Sequence, residues 1–170
     1  MAFDVLLRGT NGATQGAFPG TSIRTEHTDK IEIISFEYEL LAPKDPQRGP
    51  HATGRRQHKP IRICKNLDCT TPLFFNACTT NEFITTMTFE FWETSEQGMP
   101  QIYHEITIEN AAVASIKYTT GFEGTGNLST SRGHSQWDLK ELEYIDLVFE
   151  TIKLDHLVGT PTSAQDSWKN

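Results

Sequence analysis

CTTPLFFNACTTNEFITTMTFEFW, residues 69–92, predicts a short helix followed directly by a strand. Thr71 is a suitable N-cap for this helix, and Pro72 fits the first helical position, where its missing N–H costs nothing. Asn81 readily adopts the left-handed conformation that ends a helix. A helix of about nine residues does not hold in water alone, so we expect it to pack against the rest of the protein.

One face of this predicted helix is apolar, with positions spaced i, i+1, i+4 and i+5. These positions are Leu73, Phe74, Ala77 and Cys78. Residues 84–92 then alternate with a period of two, so that Met87, Phe89 and Phe91 face one way. We expect the apolar face of the helix to pack on a sheet that includes this strand.

The rest of the chain predicts further strands. The apolar or alternating segments are residues 3–7, 31–41, 61–64, 102–109, 112–119 and 142–154. We expect a hairpin turn at residues 94–98 and a tight turn at Asn110. Residues 31–41 and 142–154 are apolar on both faces, which indicates that a neighbour covers the outer face there.

About seven to nine strands with one short flanking α-helix predict a mainly β fold, an antiparallel β-barrel or sandwich. We expect residues 1–158 to form a single domain, since a chain of 170 residues suits one sizeable core. Residues 159–170 continue no strand pattern and are predicted to form a flexible C-terminal tail.

The composition argues against several classes of protein. A net charge of −7 disfavours general nucleic-acid binding, because most of the surface would repel phosphates. No apolar run approaches the ~20 residues of a membrane-spanning helix, so we expect no membrane insertion. The N-terminus lacks a basic start, a long apolar segment and a cleavage site, so no signal peptide is predicted. Three cysteines cannot all pair within one chain, which fits a reducing cytosol.

Residues 42–60, APKDPQRGPHATGRRQHKP, form a segment that we call the basic arm. Four prolines and two glycines argue against regular structure. Five cations and one anion give the arm a charge of +4, which leaves −11 on the rest of the chain (−7 − 4). The arm is therefore either a solvated loop or a segment that docks on an acidic surface, such as that of another copy. Its candidate interface residues are Lys44, Arg48, His51, Arg55, Arg56, Gln57, His58 and Lys59.

The sequence contains no convincing pattern for catalysis or metal binding. Cys64, Cys69 and Cys78 match no common zinc-finger spacing, and Cys78 lies on the apolar helix face. We therefore predict ordinary buried thiols and no metal. A cysteine nucleophile needs a base, which the sequence does not place beside any of the three. The G-x-S-x-G, P-loop and dinucleotide motifs are absent, so we predict neither an enzyme nor a cofactor.

Several segments, in this order and spacing, resemble the haemolysin-coregulated protein family, the tube-forming component of the bacterial type VI secretion system. They are IEIISF at residues 31–36, TGRRQHKP at 53–60, TPLFF at 71–75 with ACT at 77–79, FWE at 91–93, ITIENA at 106–111 and the aromatic strand at 142–156. The resemblance runs over residues 31–156, and RQHKP is its best single piece.

The resemblance implies a β-barrel with a flanking helix that assembles into homohexameric rings. The rings would stack into a hollow tube, which a contractile sheath on a baseplate drives out of the cell beneath a spike protein. It further implies a lumen that holds small effector proteins, a cytoplasmic location before firing, and secretion without a signal peptide. In the family the long arm lies at contacts between neighbouring subunits and rings, which assigns residues 42–60 to those contacts.

Two other functions stay open. A monomeric β-barrel could bind a small ligand in its interior, as lipocalin-like barrels do. Bulky residues at the candidate inner positions, such as Phe36, Phe89 and Ile106, would instead fill a small barrel. A hydrolase with a cysteine or serine nucleophile and a histidine is the other alternative, and a substrate panel with thiol reagents would test it.

Overall fold

The computed structural model describes residues 4–22, 27–44, 54–120 and 141–167, which form one helix and twelve strands. The elements are β1 (Asp4–Gly12), β2 (Gly16–Ala17), β3 (Ile31–Ile33), β4 (Ser35–Glu37), β5 (Leu40–Leu41), β6 (Gln57–His58), β7 (Ile61–Asn66), α1 (Thr71–Thr80), β8 (Ile84–Thr94), β9 (Pro100–Thr120), β10 (Glu141–Val148), β11 (Thr151–His156) and β12 (Thr162–Ser167). The described strand pairings are antiparallel.

Ten of these strands join one sheet. Its path runs in the order β2, β1, β8, β9, β10, β7 and β4, with β3 attached to β1, β11 attached to β9, and β12 attached to β11. β5 and β6 pair separately. The path does not close on itself, so the molecule is sandwich-like and not a fully closed barrel. The predicted mainly β, antiparallel fold with one short helix is confirmed.

The longest strand, β9, differs from the prediction. The expected turn at Asn110 is wrong, because the strand continues through this residue. Asn110 does adopt a left-handed conformation, with φ 49°. The chain changes partners near this residue instead of reversing: β9 pairs with β11 up to Glu109, with β8 up to Ala111 and with β10 from Ala112 onward. Pairing with neighbours on both halves thus overrides the local turn propensity of asparagine.

Two segments predicted as single strands are each divided. Residues 31–41 become β3, β4 and β5, which pair with β1, β7 and β6 respectively. Residues 142–154 become β10 and β11, with a break at Phe149 and Glu150. Because the pieces pair with different strands, much of the apolar surface on both faces is buried within one chain. A covering neighbour is therefore not needed to explain most of the two-faced pattern.

Residues 159–170 are predicted to form a flexible tail, and the described part of this segment, residues 159–167, differs from that prediction. Residues 162–167 form β12, which pairs with β11 in a register that places Asp166 opposite Ile152. The segment TSAQDS is polar and mostly exposed, so it has no apolar alternation that would predict a strand. It is held by backbone pairing with β11, which side-chain patterns do not reveal.

The core lies between the layers of the sheet and beneath α1. Phe74 and Ala77 are buried, while Leu73 and Cys78 pack against the core with part of their surface exposed. Phe74 meets Phe18 edge to face, with ring centroids 5.0 Å apart. The fully buried residues of the sheet include Ile61, Ile63, Ile84, Met87, Phe89, Ile108, Ile145 and Leu147.

The two ends of α1 are held differently. Thr70 occupies the N-cap position and makes no side-chain cap, so the predicted capping role of Thr71 is wrong. The Thr71 hydroxyl instead donates to Glu143 at 2.7 Å and accepts from the Asp68 N–H at 3.1 Å. At the other end Asn81 is left-handed, with φ 54° and ψ 38°, as the sequence predicts.

Candidate subunit interface

The basic arm is described at its two ends, residues 42–44 and 54–60. Arg48 and His51, two of its predicted interface residues, lie outside the described residues. We call residues 54–60 the arm root. The arm root contains β6, which pairs with β5, although the prolines and glycines of the arm argue against regular structure.

Asp166 of β12 binds the arm root. Its carboxylate accepts two hydrogen bonds from the Arg56 guanidinium, Nε to Oδ2 and Nη2 to Oδ1. Oδ2 also lies 3.0 Å from His58 Nε2, and Oδ1 accepts from the Ser167 N–H at 2.9 Å. Bidentate pairs of arginine and carboxylate are among the strongest side-chain hydrogen bonds. We call Arg56, His58 and Asp166 the arm anchor.

His58 connects the arm anchor to the interior. Its side chain is only 3% exposed, and its Nδ1 lies 2.7 Å from the Tyr38 hydroxyl. Because Nε2 faces a carboxylate, Nε2 carries the proton, and in the neutral ring Nδ1 accepts from Tyr38. Phe149 packs on both rings, with centroids 5.6 Å from His58 and 6.1 Å from Tyr38. One run of hydrogen bonds thus links the arm root, β12 and the segment before β5.

The ion pair between Arg56 and Asp166 keeps both of these residues charged. The hydrogen bonds from Arg56 are the main cause that lowers the pKa of Asp166 to about 2. The same hydrogen bonds raise the pKa of the Arg56 guanidinium. Burial, and then the charge of Asp166, raises the pKa of Tyr38, which keeps its hydroxyl protonated. At neutral pH a full anion therefore faces a full cation, and Tyr38 remains a donor.

Two more ion pairs lie beside the arm root. Lys59 Nζ is 2.6 Å from Glu39, whose backbone oxygen also accepts from the Lys59 N–H at 3.0 Å. Arg62 donates to Asp146 at 2.8 and 3.1 Å, which lowers the pKa of Asp146. The two pairs frame a surface cavity of about 210 Å³. Exposed ion pairs add little stability, so their main effect is on the charge pattern of this surface.

The remaining described cations of the arm point elsewhere. Lys44 and Arg55 are exposed, and neither makes an ion pair with another residue that the structure describes. Gln57 is exposed as well. The cations that the structure describes in the arm therefore fall into two groups, one bound to acids of the same chain and one presented outward.

An apolar groove of about 360 Å³ borders the arm root. It is lined by His58, Lys59, Pro60, Phe83, Val148 and Phe149, among others. Phe83 is 53% exposed and Val148 is 42% exposed. Exposed apolar patches on soluble proteins commonly mark contact surfaces. The outward cations and this groove together form the candidate subunit interface.

Sequence patterns gave no signal for the partners of the arm within its own chain. Asp166 lies in a polar segment predicted to be a flexible tail, and Tyr38 and Glu39 lie in a predicted strand. Only the surplus of negative charge outside the arm indicated that acidic partners exist. For Arg56 and Lys59 the acidic partner is in the same chain.

A second ion-pair cluster, which sequence patterns also missed, lies under the N-terminus of α1. The side chains of Lys65 and Glu143 are fully buried, and Lys65 Nζ is 2.5 Å from Glu143 Oε1. Lys65 also lies 2.7 Å from Asp68, and Glu143 accepts from Thr71. Burial alone would raise the pKa of Asp68, but hydrogen bonds from Lys65 and Thr70 lower it overall. We call this cluster the helix anchor.

The structure also shows where the cysteines lie and tests for groups of metal-ligating side chains and for membrane-spanning helices. Cys64 is buried, Cys78 is partly buried and Cys69 is exposed, and all three are free thiols. Within the described ranges, no three His, Cys, Asp or Glu side chains are grouped closely enough to hold a metal ion. The described part of the chain contains no helix long and apolar enough to cross a membrane.

Comparison with known proteins points to one family. Residues 10–156 match the family model described as type VI secretion system effector, Hcp. The chain is 30% identical over 162 residues to the major exported protein of Pseudomonas aeruginosa, covering 92% of this chain and 88% of that protein. A crystal structure of an Hcp protein has a TM-score of 0.83 at 24% identity, covering 99% of both chains. The secreted protein Hcp3 from P. aeruginosa has a TM-score of 0.75 at 24% identity, covering 99% of this chain and 100% of that one.

The two structural relatives share the fold along nearly the whole chain. The family model extends over most of the sequence, from β1 to the end of β11. Both findings agree with the resemblance to the haemolysin-coregulated proteins. The chain belongs to the Hcp family of type VI secretion system proteins.

Proposed function

We propose that this chain is the subunit of the inner tube of a type VI secretion system, where it forms hexameric rings that stack into a hollow tube. The observation that carries this proposal is the family match over residues 10–156. Superposition on Hcp structures along nearly the whole chain supports it. The P. aeruginosa relative is named for its export, and one structural relative is described as secreted. By this account the chain resides in the bacterial cytoplasm before firing and is then expelled without a signal peptide.

The proposed partners follow from this role. The subunit contacts other copies within and between rings, and the assembled tube meets the contractile sheath, the baseplate and the spike protein. Small effector proteins ride in the lumen and are shielded there before export. The role is structural, with no catalytic step and no cofactor.

The candidate subunit interface supplies the contacts for such an assembly. Arg55 and Lys44 present positive charge, and Phe83 and Val148 line the apolar groove that borders the arm root. The rest of the chain carries −11 (−7 − 4), so a second copy offers acidic surface to the arm. Complementary charge steers association and fixes register, and buried apolar surface provides most of the affinity.

A monomeric barrel that binds a small ligand has less support. Met87, Phe89, Ile108 and Leu147 have no exposed surface and fill the space between the layers. The two cavities described above lie at the surface beside the arm root and not among these residues.

Light scattering combined with negative-stain imaging of the same fraction tests the proposal. Six copies of 19.2 kDa give a particle of about 115 kDa (6 × 19.2), and images should show a six-fold annulus with an open centre. A monodisperse particle of one chain at high protein concentration, with no annulus in the images, would contradict the proposal.

A further inference from the structure

We propose that Asp166 is a positioning residue, which holds the arm root on its own chain so that Arg55 meets the acidic surface of a second copy. The inference rests on the ring-forming function proposed above. It assigns different roles to neighbouring arm residues: Arg56 binds Asp166 of the same chain, and Arg55 binds a second copy. Arg55 and Arg56 are adjacent cations in one segment, and the sequence does not distinguish their tasks. Their contacts in the folded chain do.

The carboxylate of Asp166 has no capacity left for a partner molecule. Oδ1 accepts from Arg56 Nη2 and from the Ser167 N–H. Oδ2 accepts from Arg56 Nε and lies within hydrogen-bond distance of His58 Nε2. A carboxylate offers about four acceptor sites, and these four donors occupy them. A cation from a second copy would have to displace one of these donors, so Asp166 serves its own arm.

The two arm residues bound to Asp166 are equally committed. Arg56 directs both Nε and Nη2 to the carboxylate. His58 is buried and uses its second ring nitrogen for Tyr38. Turning either side chain toward another molecule would break charge-assisted hydrogen bonds and leave buried groups unpaired.

Arg55 is the opposite case. Its side chain is exposed and makes no ion pair within the described ranges. A guanidinium carries five donors in a planar fork that suits carboxylates. Since the charge outside the arm is −11 (−7 − 4), the acidic surface of a second copy is the partner that this cation fits.

Fixing the arm root makes docking easier. A segment that is already ordered loses less conformational freedom when it binds, and affinity rises accordingly. Asp166 therefore supports assembly without touching the second copy, by determining where Arg55 is presented.

The experiment uses the full-length chain and four variants. Asp166→Asn and Arg56→Gln break the arm anchor from either side, and Arg55→Ala removes the outward cation. Asp155→Asn is the matched control, because Asp155 pairs with Lys153 at 2.9 Å on the same hairpin of β11 and β12. Ring formation against protein concentration is followed by light scattering, and amide hydrogen exchange is measured at residues 54–58.

We expect Asp166→Asn and Arg56→Gln to raise the concentration for half-maximal ring formation about tenfold or more and to speed exchange at residues 54–58. Arg55→Ala should raise that concentration similarly while leaving exchange at the arm root and thermal unfolding unchanged. Asp155→Asn should assemble like the wild type. If the role of Asp166 were purely structural, Asp166→Asn would lower the unfolding temperature, and its effects on ring formation and on exchange at residues 54–58 would not be distinguishable from those of general destabilisation.

The outcomes distinguish the inference from the proposed function. If the wild type forms rings and either Arg55→Ala or both anchor variants assemble equally well, the inference is overturned and the tube function stands. If the wild type forms no rings under any condition, the proposed function fails and the inference fails with it.

Discussion

The helix anchor and the arm anchor each contain an ion pair between a basic side chain and a carboxylate. The pair in the helix anchor is fully buried, whereas the pair in the arm anchor is partly exposed. Lys65 and Glu143 have 0% of their side-chain surface exposed, whereas Arg56 is 45% and Asp166 is 25% exposed. Removing one partner of a buried pair leaves an unpaired charge away from water, which is strongly destabilising. At an exposed pair water replaces the lost partner. The helix anchor therefore stabilises the fold, while the arm anchor mainly determines the position of a segment.

The largest effect is expected at the helix anchor. Lys65→Met should reduce the free energy of unfolding by about 3–5 kcal/mol, because it leaves Glu143 buried without its cation. Denaturant unfolding followed by circular dichroism measures this loss. The double variant Lys65→Met with Glu143→Leu removes both charges and should regain most of the stability. If the single variant is as stable as the wild type, the buried pair does not stabilise the fold, and the contrast drawn between the two anchors is wrong.

A variant with an effect of similar size tests how α1 packs on the core, and it changes no charged residue. Phe74→Ala should cost about 3–5 kcal/mol in unfolding free energy, since the ring is fully buried. Phe75 is 53% exposed on the same helix, so Phe75→Ala is a matched control that should change stability by less than about 1 kcal/mol. Equal unfolding midpoints for the two variants would mean that the apolar face of α1 is not the face that packs.

At the arm the effect should appear in assembly and not in stability. Replacing Arg55 and Arg56 with Glu should weaken ring formation strongly while moving the unfolding midpoint little. Attraction between arm and acidic surface is screened by salt, so wild-type assembly should weaken as salt rises and the variant should respond less. The control variant replaces Lys117 and Lys153 with Glu, which makes the same change in net charge at positions outside the arm. If the arm variant assembles like the wild type at every salt concentration, electrostatic docking of the arm is wrong.

The smallest effect concerns pH. The hydrogen bonds from Arg56 lower the pKa of Asp166 from 3.8 to about 2. The contribution of this carboxylate to its pair with Arg56 is therefore fully present above about pH 4 and is lost as the pH falls through about 2. A carbon-detected NMR titration of the Asp166 carboxyl measures its midpoint, which Arg56→Gln should shift upward. A wild-type midpoint near 4 would show that the bidentate pair does not persist in solution.

Local patterns predicted the parts of the fold that depend on local structure. The apolar spacing around Phe74 and Ala77 identified the face of α1 that packs, and Asn81 ends the helix in the predicted conformation. The period-two segments also identified most of the strand-forming sequence. What they could not provide is which strands pair, because that choice depends on residues far apart in the chain.

Apart from the N-cap of α1, the missed features are long-range. Asn110 has strong turn propensity and is left-handed, yet pairing on both halves of β9 keeps the chain from reversing there. Arg56 and Asp166 are 110 residues apart, and the polar strand that carries Asp166 shows no apolar alternation. The sequence did indicate that a basic arm needs an acidic partner. Only the folded chain shows that part of this partner is its own C-terminal strand.

The passage of β9 through both halves of the sheet has a mechanical consequence. One half of this strand forms the ladder with β8 and β11, and the other half forms the ladder with β10. Pulling the two halves apart would load a covalent backbone and shear several hydrogen bonds at once, instead of parting two apolar surfaces. A subunit built on such a continuous strand transmits tension as a single body, and its two halves should yield together in one cooperative step.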